Sequence, residues 1–72
     1  MRTIEYKAVF SGTIVRLPGG TPSLVANPNE ELIRVTARNI NSGYTKALKR
    51  ALEPLGNGNR RELIRIEFWQ VL

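Results

Sequence analysis

From Arg2 to Phe10 the chain alternates without a break. Ile4, Tyr6, Ala8 and Phe10 fall on one side and Thr3, Glu5, Lys7 and Val9 on the other, the two-residue period of a strand with one buried face. Ser11-Gly12 interrupts the pattern, and Thr13-Ile14-Val15-Arg16-Leu17 reads as a second strand. A tight hairpin at Ser11-Gly12 is the first expectation. One long strand bent at Gly12 is the alternative. Pro18-Gly19-Gly20-Thr21-Pro22 cannot continue a strand, and Asn27-Pro28-Asn29 is a further turn signal. Together they predict a long loop over residues 18–31, with Leu24-Val25-Ala26 as an apolar island against the core edge. Alternation resumes from Leu32 to Arg38, with Ile33, Val35 and Ala37 inward and Arg34, Thr36 and Arg38 outward.

The period then changes to that of a helix. Tyr44, Ala47, Leu48, Ala51, Leu52 and Leu55 fall at i, i+3, i+4, i+7, i+8 and i+11, which stacks them on one face. Lys46, Lys49, Arg50 and Glu53 take the other. Ser42 is placed to cap the N-terminus, and Pro54 stops the helix by disfavouring it for Glu53. Gly56-Asn57-Gly58-Asn59 is a turn. Glu62 to Leu72 is a final strand, with Ile64, Ile66 and Phe68 inward and Arg65, Glu67 and Trp69 outward; Leu63 and Val71 join the outward set.

The order β-β-loop-β-α-β predicts an α+β fold: a single small sheet of three to four mainly antiparallel strands, covered on one face by one helix. If the third and fourth strands are neighbours, the helix makes them parallel through a right-handed crossover. Residues 1–72 have room for one domain. Six apolar helix positions carry most of the core on this reading, so Leu48→Ala or Leu52→Ala is expected to cost about 2–5 kcal/mol. The reverse face of the sheet has no helix left to cover it.

Composition removes several classes of chemistry. The chain has no Cys, no His and no Asp. Disulfides, thiolate metal sites and the commonest general base are therefore missing. Glu30 and Glu31 are adjacent, so on a strand they face opposite ways. Gly19-Gly20 and Gly56-Asn57-Gly58 lack the Lys-Ser/Thr of a P-loop and the dinucleotide fingerprint, and read as turns. The expectation is a non-catalytic protein without metal or cofactor. No run of about 18 apolar residues is present, and residues 1–10 alternate rather than form a signal-peptide core, so a soluble cytoplasmic protein with no membrane partner is expected.

Charge narrows the partner. Eleven Lys+Arg stand against six acids, for a net +5 and a pI near 10.5, which favours acidic surfaces or nucleic acid. Two groups of candidates stand out. Arg34, Arg38 and Arg65 lie around Trp69 on the uncovered sheet face. Lys46, Lys49 and Arg50 lie on the helix, followed by Arg60 and Arg61. Either set can hold phosphates, with a base stacked on the indole; either can equally serve as a solvated, salt-bridged surface. The C-terminal Phe68-Trp69-Gln70-Val71-Leu72 is apolar on both faces, which suits an edge strand pairing with another chain, a homodimer included, with Trp69 as anchor. A small protein-binding module that docks on an acidic or nucleic-acid-associated protein is the leading expectation. Direct nucleic-acid binding through Arg34, Arg38, Lys46, Lys49, Arg50, Arg60, Arg61 and Arg65 is the alternative.

In size and helix-on-sheet layout the chain resembles short accessory proteins of phages and plasmids, including inhibitors of CRISPR complexes. That resemblance implies an inhibitor or regulator acting by docking. The strand, helix and final strand also loosely resemble the small basic linker domains of phycobilisomes, although the Val-Pro-Tyr run that opens their helix and the Gly-Gly-Lys-Ile run after it have no counterpart here.

Overall fold

The computed structural model describes residues 1–72. Strand β1 (Arg2–Arg16) runs through its centre. It pairs on one side with β2 (Pro22–Ala37) and on the other with β4 (Asn59–Val71), and β3 (Pro54–Gly56) adds a short margin to β4. The sheet order is β2-β1-β4-β3 and every pairing is antiparallel. One helix, α1 (Ile40–Ala51), lies on one face. This is the expected α+β architecture. β1 separates β2 from β4, so the parallel crossover does not arise.

Two sequence expectations in the first half are corrected. Ser11-Gly12 does not reverse the chain: β1 continues through it as one bent strand, the alternative reading. A tight hairpin needs positive φ at the turn, and Gly12 does not adopt it. Its role is close approach. The register slips there from Phe10↔Asn29 to Gly12↔Ala26, and a Cβ at Gly12 would lie 2.9 Å from Asn27 N and 3.0 Å from Ala26 Cα. The chain reverses instead at Leu17–Thr21, where Gly19 and Gly20 take φ of 91° and 84°. Residues 22–31, expected as loop, form the first part of β2. Their two prolines are tolerated because β2 is the sheet edge, where a missing N–H breaks no ladder bond, and Pro28 sits at the slip in register.

The length of β1 sets the shape. Fifteen residues rising about 3.3 Å each span about 50 Å, and the molecule measures 45 × 18 × 14 Å. A 12-residue helix reaches only about 18 Å. It therefore covers one half of the sheet, and the hairpin of Gly12–Arg16 with Pro22–Ala26 extends beyond it.

The helix begins earlier than expected. Asn39, not Ser42, is the N-cap: its side-chain oxygen accepts from Ser42 N at 2.9 Å, while Ser42 Oγ accepts from Asn39 N at 3.4 Å, a reciprocal capping box. The buried face is also rotated from the one expected. Gly43, Ala47 and Ala51 meet the sheet, whereas Tyr44, Leu52 and Leu55 stay exposed, Leu52 at 54%. Tyr6 is the cause. Its ring is wholly buried and its hydroxyl donates to the Ile40 carbonyl, so the helix backbone must come close. A Cβ on Gly43 would collide with that hydroxyl and lie 3.1 Å from Tyr6 Cζ.

Bulges correct β4 as well. Ile64 and Trp69 are extra residues opposite β1, because Val9 and Phe10 pair with Arg65 and Leu63, and Glu5 and Tyr6 with Gln70 and Phe68. Leu63 and Ile66 therefore pack on the core and Phe68 on Tyr6, while Ile64, expected inward, is exposed. The strand starts at Asn59, after an Asn57-Gly58 turn whose φ values of 55° and 77° suit a type I′ hairpin.

Candidate functional site

The face opposite the helix is bare, as the count of elements expected. In its helix-backed half, β1 contributes Thr3, Glu5, Lys7 and Val9. Arg34 and Leu32 of β2 lie opposite Glu5 and Lys7, and Gln70, Glu67 and Arg65 of β4 lie opposite Glu5, Lys7 and Val9. Period-two alternation puts these side chains on one surface because their neighbours Ile4, Tyr6 and Ala8 are buried under the helix.

Glu5 anchors this surface. It is 2% exposed although no layer covers it, because its neighbours fold over it. Arg34 Nε donates to Oε2 at 2.9 Å and Gln70 Nε2 to Oε1 at 2.8 Å. The Gln70 bond first, then the Arg34 bond, hold its carboxyl below the ordinary 4.5, against the opposing effect of burial. The next row is organised by Lys7. Its Nζ lies 3.0 Å from Glu30 Oε2 and 4.8 Å from the centre of the Trp69 ring, a cation held against an indole. Trp69 remains 49% exposed and Leu32 is half exposed, with Lys7 between them; Val9, partly buried, lies one row further on between Glu30 and Arg65. Three acids (Glu5, Glu30, Glu67) balance three bases (Lys7, Arg34, Arg65) on this surface, so the net +5 falls on the rest of the molecule. On this surface exposed apolar side chains are interleaved with charges of balanced sign.

The nine candidate residues do not form one patch. Arg34, Arg65 and Trp69 share the bare face. Arg38 follows the end of β2 and lines a shallow depression with Arg2, Ile4 and Val71 at one end of the molecule. Lys46 and Arg50 turn to the β2 edge: Lys46 Nζ donates to Thr36 O at 2.6 Å and Arg50 Nη1 to Arg34 O. One helical turn matches two strand residues, so this pair covers two outward carbonyls of an edge strand. Lys49 is exposed, with no ion pair. Arg60, at the start of β4, is exposed too. Arg61 is spent on the core: it stacks 4.2 Å from the centre of the Phe10 ring and pairs with Glu31. The cations from helix to β4 are brought together only in part: Arg50 and Arg61 line one depression with Arg34, Glu31 and Glu53, and Arg60 and Arg61 line another beside Leu52, while Lys46 turns to the β2 edge and Lys49 is exposed on the helix.

The residues that organise the bare face beside Trp69 were only partly among the candidates. Lys7, Leu32 and Gln70 were outside the set. Strand period puts Lys7, and Leu32 as the first residue of the strand Leu32–Arg38, on the correct face, but Gln70 is hidden by the bulge at Trp69.

Comparison with protein-family models, with curated proteins and with solved structures finds no match to the chain. No helix is long and apolar enough to cross a membrane, and no group of three or more His, Cys, Asp or Glu is placed to hold a metal ion.

Proposed function

We propose that the protein is a non-catalytic protein-binding module that docks through the bare face around Trp69, Leu32 and Val9. The observation that carries this reading is the state of the charges there. The charges balance in number, and Lys7 and Arg34 are tied to Glu30 and Glu5, so Arg65 is the one base of this face without an ion pair, and the indole and Leu32 are its large exposed apolar groups. Exposed large apolar side chains set among paired polar groups suit a protein interface, where tryptophan is among the residues most often dominant. A phosphate chain needs uncompensated cations instead. The net +5 surrounds this face rather than filling it, so it attracts an acidic or nucleic-acid-associated protein and speeds encounter without making the contact itself. An accessory inhibitor or regulator, acting by occupying a surface of its target, fits a chain of this size with such a face.

The test is affinity capture from an extract of the source organism with and without nuclease. Trp69→Ala or Leu32→Ser is expected to lose the captured protein, with a loss for Trp69→Ala of about 30-fold or more in affinity; Lys49→Glu is expected to retain it with slower association. Capture that survives Trp69→Ala but not nuclease treatment would instead assign the activity to nucleic acid and the basic rim.

A further inference from the structure

The two margins of the sheet are treated differently. At β2, Lys46 and Arg50 occupy the outward carbonyls of Thr36 and Arg34. At β4, the short β3 pairs only with Asn59 and Arg60, so nothing lies beside the strand from Arg61 to Val71. The open margin adjoins an apolar surface. On the helix side, Tyr44 and Phe68 flank Tyr6 with ring centres 6.3 and 6.2 Å away, and Leu48 and Leu52 continue the same side of α1 toward its C-terminus. This is the half of the apolar helix stripe that the sheet does not bury.

The direction of the free backbone groups follows from the contacts. Thr36 and Arg34 turn outward, so Val35 and Ile33 bond Ile4 and Tyr6 of β1. Odd residues of β1 then turn toward β4, as the bond from Leu72 N to Thr3 O at 2.9 Å shows. Their partners Glu67 and Arg65 turn back to β1, which leaves Ile66 and Phe68 presenting N–H and C=O at the open margin.

We infer that the occupant of this margin is a second copy of the chain, with β4 pairing antiparallel to itself about a two-fold axis at Ile66. The sequence Leu63-Ile64-Arg65-Ile66-Glu67-Phe68-Trp69 is self-complementary about that residue. Ile66 meets its own copy in a hydrogen-bonded pair. Arg65 then lies directly opposite Glu67 of the other copy, twice, in the non-hydrogen-bonded positions where side chains are closest. Ile64 lies opposite Phe68. Moving the axis by one residue sets Arg65 against Arg65 or Glu67 against Glu67, so charge selects this register. The irregularities at Ile64 and Trp69 limit the paired segment to Ile64–Phe68, which favours a closed pair over an open-ended stack. The pairing brings the Tyr44, Leu48 and Phe68 sides of the two copies together on the helix side and leaves both Trp69 faces open on the other. It therefore stands or falls independently of the docking role of those faces.

The experiment is sedimentation of the full chain over a concentration series, with circular dichroism as a check on folding. The wild type is expected to dimerise. Arg65→Glu alone and Glu67→Arg alone are each expected to weaken the dimer about tenfold or more, because each turns two attractive pairs into two repulsive ones. An equimolar mixture of the two single variants is expected to restore association, since every cross-pair is then of opposite sign. A wild type that stays monomeric up to about 1 mM, the weak end of the affinity scale, overturns the inference. So does a dimer that neither substitution weakens, or a mixture that fails to associate while both variants remain folded.

Discussion

Gly43 and Glu5 show how single residues set this structure. Alanine is usually the better helix residue by about 1 kcal/mol, so Gly43→Ala would stabilise an isolated helix. Here the added methyl meets the Tyr6 hydroxyl and ring. Overpacking of this kind costs about 1–3 kcal/mol, and the net effect expected in urea unfolding is destabilisation; a more stable variant would mean that the helix does not sit on Tyr6. Glu5 carries a pH signature. Its carboxyl titrates below the ordinary value when folded, so the unfolded chain binds more protons as pH falls. The stabilisation is complete above 4.5 and is lost as pH drops through the lower folded value. Glu5→Gln should therefore flatten the acid side of the stability–pH curve, which thermal unfolding across that range would reveal. The position of Glu5 on the bare face was legible from strand period alone. Its burial was not, because that depends on Arg34 and on a Gln70 brought opposite by a bulge.

Among the elements, β1 and the helix were the most legible, since strict alternation and a 3.6-residue period need no partner to be read. What failed was where each ends and which way it faces. Ser11-Gly12 has the composition of a turn, but its backbone serves a close crossing. Pro22 and Pro28 look like strand breakers, yet on an edge strand they break nothing. The helical pattern marks what is apolar, and only the sheet decides which part of that stripe is covered. The expected cost of Leu52→Ala changes accordingly. At 54% exposure, its truncation should shift the stability of the monomer by no more than about 0.5 kcal/mol, while Ala47→Leu, beneath the helix, should cost about 1–3 kcal/mol. Equal costs in chemical denaturation would contradict the observed helix orientation. Lys46 and Arg50 belong to this scale too. Removing both side chains, by Lys46→Ala with Arg50→Ala, exposes the β2 edge, and the expected outcome is faster concentration-dependent aggregation in light scattering.

At the scale of the whole molecule, only 12 of 72 residues are buried, and the nine apolar ones include four alanines. A core this small is marginal for a chain without disulfides or metal, while Trp69, Leu32, Phe68 and Tyr44 remain at the surface. The fold accordingly leaves two apolar surfaces in reserve, one on each side of the sheet. The basic excess lies around them in separate groups, so random-sequence DNA or RNA is expected to bind no tighter than about 10⁻⁴–10⁻⁶ M at physiological salt, as fluorescence anisotropy would show. Tighter binding with a steep salt slope would shift the function to the rim. The sole tryptophan reports directly on the bare face, and acrylamide quenching of its fluorescence is the most direct test. Ready quenching with solvent-exposed emission, unchanged between dilute and concentrated samples, is predicted. Blue-shifted emission with a protected indole in the free protein would mean that another layer already covers that face, and would contradict the account.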